Sequence, residues 1–200
     1  MWKSIWVMGL ERLSGFGFEV DNSQLIKALN DFAQTIVVPY MRDLTKKKAY
    51  DKGGIYQSIR SEVVQGGGNT GIGAGDYAIN IVIDEPGSNY IDFVEKGVRG
   101  SESGAKAPSS PYRFGTGSGP RGGLTRSITE WSQRKGLYKY RFGIIKNIYK
   151  YGLRARPILD PTFDYAQKLI ETSYEQRLEQ GFADDMNKII DNLITEINNN

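Results

Sequence analysis

An α+β fold is predicted for this 200-residue chain by three observations. A long stripe of apolar residues at helical spacing opens its readable part. Alternating, β-branched stretches punctuated by glycine follow, and the last third returns to helical spacing. Together they predict an antiparallel sheet of about four strands, packed by an N-terminal helix over 23–48 and by C-terminal helices.

The first twenty residues are the least regular. Trp2, Ile5, Trp6 and Met8 fit a short strand or an anchoring segment, and covering their own core is the plainer reading. The helix follows. Asp21, Asn22 and Ser23 offer N-caps, and Leu25, Leu29, Phe32, Ile36, Tyr40 and Leu44 recur at three- and four-residue spacing, widened by Ile26, Ala33 and Val37. Pro39 lies inside the pattern and is expected to kink it, since it lacks an N–H and crowds the preceding turn. Lys46–Lys48 suit the negative end of the helix dipole, a reading preferred to a phosphate site.

Three stretches read as strands. Ile59–Gln65 ends at the glycines beginning with Gly66. Tyr77, Ile79, Ile81 and Ile83 alternate with Ala78, Asn80, Val82 and Asp84, the period of a half-buried strand. After the turn Pro86–Gly87 a third runs from Tyr90 to Val98. Residues 101–123 hold six glycines, three prolines and five serines, which predicts a long loop or arm. Beyond it, helices are expected over Leu124–Lys135 and Tyr138–Tyr151. A third, containing Phe163 to Leu178, is expected to close at Gly181, and a final amphipathic helix carries Met186 to Ile197. The implied organisation is an N-terminal segment (1–22), an α+β domain (23–178) bearing the arm, and a C-terminal helix (179–200).

Composition narrows the chemistry. The apolar fraction of 39% and charged fraction of 24% suit a chain that buries a core. Cysteine and histidine are both absent. That removes disulfides, thiolate metal sites, the commonest general base and the commonest zinc ligand. No enzyme, cofactor or metal is expected. The stretch GGGNTGIGAG at 66–75 lacks the Gly-Lys-Ser/Thr of a phosphate loop and precedes a strand rather than a helix, so a hairpin loop is expected. Asp84, Glu85, Asp92 and Glu95 read as solvated strand ends rather than nuclease ligands. No targeting signal or membrane-length apolar run is evident, so a soluble protein made in a cytoplasm is expected.

The net charge of +3 hides a strong asymmetry. Residues 121–156 carry ten basic side chains against Glu130 alone, whereas residues 157–200 carry three basic and nine acidic ones. Arg121, Arg126, Arg134, Lys135, Lys139, Arg141, Lys146, Lys150, Arg154 and Arg156 interleave with Trp131, Tyr138, Tyr140, Tyr149 and Tyr151. That mixture suits contact with nucleic acid or an acidic partner, and a solvated helix face or pairing with the acidic C-terminal stretch explains it equally well in a monomer.

Three short patterns, in this order, resemble the neck or tail-completion proteins of tailed bacteriophages. Gly53-Gly54-Ile55-Tyr56-Gln57-Ser58-Ile59 is similar to that family's Thr-Gly-x-Leu-x-x-Ser-Ile, with Lys52 where threonine is usual. Tyr90-Ile91-Asp92-Phe93-Val94-Glu95-Lys96-Gly97 is similar to its Tyr-Ala-x-Tyr-Val-Glu-x-Gly. Arg156-Pro157-Ile158-Leu159-Asp160-Pro161-Thr162-Phe163 is similar to its Arg-Pro-Phe-Leu-x-Pro-Ala before a C-terminal helix. Residues 98–155 are longer than the family's usual connection.

The resemblance implies a structural virion protein at the head–tail junction, forming a homo-oligomeric ring of six or twelve copies. Such a ring bridges portal- or adaptor-side and tail proteins and surrounds duplex DNA. The basic residues from Arg121 to Arg154 are then candidates for contact with DNA or a partner. Glu95, Tyr112, Arg113 and Phe114 are candidates for contact between subunits. The alternative expectation is a DNA-binding accessory protein, a small oligomer acting through residues 121–156.

Overall fold

The computed structural model describes residues 4–7, 23–49, 53–65, 77–85, 87–115 and 123–199. Their fold mixes helices with one small antiparallel sheet, so the α+β expectation holds at that level. The sheet has three strands among the described residues, not about four. These are β1 (Ser4–Val7), β2 (Ile59–Gln65) and β3 (Tyr77–Ile83), in the order β1-β3-β2. Val63 faces Ile79 across β2–β3, and Ile5 faces Ile79 across β1–β3. As the central strand, β3 is covered on both sides. Ala78 and Val82 are buried along with Tyr77, Ile79 and Ile81, so the half-buried expectation undercounts its burial. Trp6 lies in β1, while Trp2 and residues 66–76 fall outside the described residues.

The missing fourth strand is a helix. Tyr90–Val98 was expected to extend, but Ser88–Lys96 coils into a helix. Its aromatic and β-branched residues favour a strand only where a sheet surface receives them. Local helical signals prevail instead. Asp92 and Lys96 pair across one turn at 3.4 Å, and Gly97 takes the positive φ (68°) that ends the helix.

The chain divides by contacts into two units. The first comprises residues 1–43, 59–84 and 160–200. Its helix α1 (Ser23–Phe32) runs through a π turn (Ala33–Val37) into α2 (Val38–Ala49). The turn explains a one-residue error in the predicted stripe. Leu25, Leu29 and Phe32 are buried as expected, and so are Ala33 and Val37 of the widened stripe, but beyond the turn burial continues at Val38, Met41 and Thr45 rather than at Ile36, Tyr40 and Leu44. A π turn inserts one extra residue and rotates everything after it. It sits just before Pro39, which cannot donate to the ladder; the Val38 N–H bonds back to Ala33 O.

At the other end of this unit α7 (Leu159–Leu169) passes through a second π turn (Ile170–Tyr174) into α8 (Glu175–Asn199). The expected stop at Gly181 does not occur. Gly181 is mid-helix and buried, and a Cβ there would lie 3.3 Å from the Gln24 carbonyl oxygen. Its role is close approach of α8 to α1, not termination. Asp185, one turn on and 0% exposed, accepts hydrogen bonds from the N–H groups of Gln24 and Leu25. It caps α1 from a distance. The predicted caps Asp21 and Asn22 lie outside the described residues, and Ser23 is already helical. Phe32 and Tyr174 meet at 4.6 Å, and Tyr40 stacks on Tyr165 at 3.9 Å.

The second unit comprises residues 44–58 and 85–159. It holds a short helix α3 (Gly54–Ser58), the helix now called α4 (Ser88–Lys96), α5 (Gly123–Arg134), a 3-10 turn (Tyr138–Tyr140) and α6 (Arg141–Tyr151). The first motif therefore begins as helix, with β2 starting only at Ile59. Residues 101–115 do not project as an arm. Ser101, Glu102 and Ser103 donate their N–H groups to the carbonyls of Tyr149 and Lys150, Val98 bridges Leu153, and Arg99 bridges Arg113. Two glycines permit this. A Cβ on Gly152 (φ 80°) would lie 2.1 Å from Val98 O, and one on Gly100 would lie 2.0 Å from Lys150 O. Residues 116–122 of the expected arm lie outside the described residues.

Candidate functional site

In the second unit, α5 is followed by a tight turn at Gly136, the 3-10 turn and α6, which together display most of the basic segment. Amphipathic packing fixes which face is turned inward. Ser132 of α5 and Ile145 of α6 are buried. Phe142 is 64% exposed, and Tyr140 is 55% exposed. Tyr138 and Tyr151 are exposed as well.

The cations on this surface form three groups. Some are engaged by their own chain. Lys150 pairs with Glu102 at 2.6 Å, a hydrogen bond that holds its ammonium pKa above the ordinary lysine value. Arg126 pairs with Glu130 one turn away, and Arg156 donates to Lys48 O. A second group rides on aromatic rings. The Arg141 guanidinium lies 3.9 Å from the Tyr138 ring centroid and 4.2 Å from that of Phe142, and the Lys139 ammonium lies 4.8 Å from the Tyr140 ring. Contacts of this kind at exposed sites contribute about 0.5–1 kcal/mol each and hold the cations in place without neutralising them. Lys135, Lys146 and Arg154 are exposed, as is Arg134, which is also engaged within the chain. Arg121 lies outside the described residues.

Beside the ring-borne cations is an open groove of about 510 Å³, lined by Lys139, Tyr140, Gly143, Ile144, Asn147 and Ile148. Gly143 lowers the helix surface there, since nothing lies within 4 Å of where its Cβ would be. The groove joins an apolar floor to a charged rim, the composition of a binding surface rather than a reaction centre.

The residues expected to contact a neighbouring subunit are occupied within the chain. Glu95 Oε1 accepts the N–H groups of Ile158 (2.6 Å) and Leu159 (2.9 Å), so it caps α7 from the end of α4. Tyr112 donates its hydroxyl to Asp92 at 3.1 Å and packs its ring 4.7 Å from Phe93. That hydrogen bond raises the Tyr112 pKa above the ordinary tyrosine value, with desolvation adding to it. Phe114 lies 5.9 Å from Tyr149, and Arg113 donates to Ser101 O while remaining exposed. Two of the other acidic candidates have partners of their own. Asp84 pairs with Arg60 at 2.7 Å, and Asp92 with Lys96. Among the described residues no group of three or more acidic side chains could hold a metal ion, and no helix is long and apolar enough to cross a membrane.

Sequence reasoning found the basic segment but missed the groove and both remote caps. The signal available for the groove was Gly143, a glycine inside an otherwise regular helix. No family model, curated protein or solved structure matches this chain.

Proposed function

We propose that the chain is a structural component of a tailed-phage neck, one subunit of a homo-oligomeric ring that joins portal-side and tail proteins around DNA. The observation carrying this reading is the hydrogen bonding of Glu95 to Ile158 and Leu159, which joins the second family-like motif to the third. The first motif adjoins the same region of the second unit. Ser58 donates its hydroxyl to Gly54 O and accepts the N–H of Gly87, next to the start of α4. Those parts of the three patterns that lie in the second unit are thus near one another, which supports reading them together; Ile59 and residues 160–163 belong to the first unit.

The reading assigns the protein no bond-making or bond-breaking step. Its work is mechanical and electrostatic: ring closure through heterologous contacts, presentation of a surface to the next component, and retention of DNA. A second reading rests on Lys139, exposed, and Arg141, half-buried, both held against aromatic rings beside a groove. It is a DNA-binding accessory protein acting as a small oligomer.

Light scattering on the purified chain, paired with duplex binding across a salt series, separates the two. The neck reading predicts a discrete ring-sized mass and weak DNA affinity for single subunits. A monomer or dimer that binds duplex tightly, with affinity falling steeply with salt, favours the accessory reading.

A further inference from the structure

We propose that the groove and aromatic face of α6 dock the acidic outer face of α8 from a second copy of this chain, making a head-to-tail contact. The inference rests on the ring reading above and names the surfaces through which the ring would close.

The exposed aromatic rings of α6 and the turn before it suit a protein partner better than a duplex. Phe142, at 64% exposure, stands beside Tyr138 and Tyr140. Outward aromatic rings bind nucleic acid by stacking on unpaired bases, which a duplex does not present. The same rings, with arginine among them, are the residues that dominate protein–protein contacts. Contiguous exposed apolar surface beside polar residues marks such a contact more often than it marks a solvated face.

Charge complementarity identifies the occupant. The groove belongs to a segment, 121–156, that holds ten basic residues against one acidic, and residues 157–200 hold nine acidic against three basic. On α8, Glu179, Asp184 and Asp191 are exposed; Asp184 and Asp191 share one line of the helix, and Ile190, 46% exposed, lies roughly 100° round from Asp191 on the line of Glu179. That face offers what the groove lacks: carboxylates for Lys139 and Arg141, and one branched apolar side chain for a floor of Ile144 and Ile148. The two surfaces differ, so each copy uses one to hold one neighbour and the other to hold the next. Such contacts close into rings or continue as filaments.

Complementation between two interface variants of the full chain tests the proposal. Phe142→Asp disables the α6 face and leaves α8 intact, while Asp184→Lys/Asp191→Lys disables α8 and leaves α6 intact. All three residues are exposed, so both variants fold. Each variant alone is expected to lose assembly, and their mixture is expected to stop at a one-to-one heterodimer of twice the 22.4 kDa subunit mass. If the wild type assembles and either variant assembles equally well, or the mixture stays monomeric, the docking is overturned and the ring reading survives with other interfaces. A wild type that is monomeric at every concentration also overturns it. Loss of duplex binding by Phe142→Asp with unchanged assembly would instead give the face to DNA.

Discussion

Glu95 and Ile158, 63 positions apart in the chain, share a 2.6 Å hydrogen bond from backbone N–H to carboxylate. With the second bond to Leu159, this carboxylate satisfies two donors at the start of α7 that the helix cannot satisfy itself. Negative charge there also complements the helix dipole. Glu95→Ala is therefore expected to cost about 1–2 kcal/mol, and Glu95→Gln, which keeps an acceptor without the charge, roughly half of that. Urea unfolding of the three proteins checks the order. Equal stability of wild type and Glu95→Ala would remove the cap from the account.

Asp185 performs the same task for α1, but fully buried. Its replacement by Ala leaves the buried Leu25 N–H and the part-buried Gln24 N–H without that acceptor. It also removes one of the partners of Lys188, 3.6 Å away. A buried unsatisfied donor costs about 1–3 kcal/mol, so Asp185→Ala is expected to be the more damaging of the two cap deletions. Chemical denaturation checks the ranking, and faster amide exchange at Leu25 gives a local readout.

Gly152 admits almost no substitution. Its positive φ and the 2.1 Å approach that a Cβ would make to Val98 O act together, so Gly152→Ala is expected to lose more than about 3 kcal/mol. Gly143→Ala, where a Cβ meets nothing, is expected to stay within about 0.5 kcal/mol of the wild type or gain helix stability. Thermal melts of the pair separate a packing glycine from a surface one.

The loop over 101–115 carries an alkaline sensitivity. Tyr112 has a raised folded-state pKa, because its neutral hydroxyl donates to Asp92. Stability from this group is present below the ordinary tyrosine titration and is lost as pH rises through the raised value, when a phenolate would face a carboxylate. Tyr112→Phe is expected to be less stable than the wild type at neutral pH and to converge with it in strong alkali. A constant difference across that range would contradict the linkage.

How much of this was legible in sequence follows from how local each signal is. The α1 stripe, strands β2 and β3 and the helix α6 were readable because periodicity reports a face directly. The register beyond Ala33 was not, because a π turn shifts a stripe by one residue without any residue that announces it. Tyr90–Lys96 carried two conflicting messages, strand propensity in its residue types and helix spacing in the Asp92–Lys96 pair with Gly97 behind it. Gly181 was read as a stop because close approach to Gln24 is a tertiary fact. The basic segment was visible by count alone, yet which cations lie on rings and which pair with Glu102 or Glu130 depends on folding.

The proposed neck role is tested most directly by imaging tailed-phage particles produced with a tagged copy of this chain. The account predicts ringed density at the head–tail junction carrying the tag. Intact particles without the chain, or a tag found only in the unassembled fraction, would contradict it.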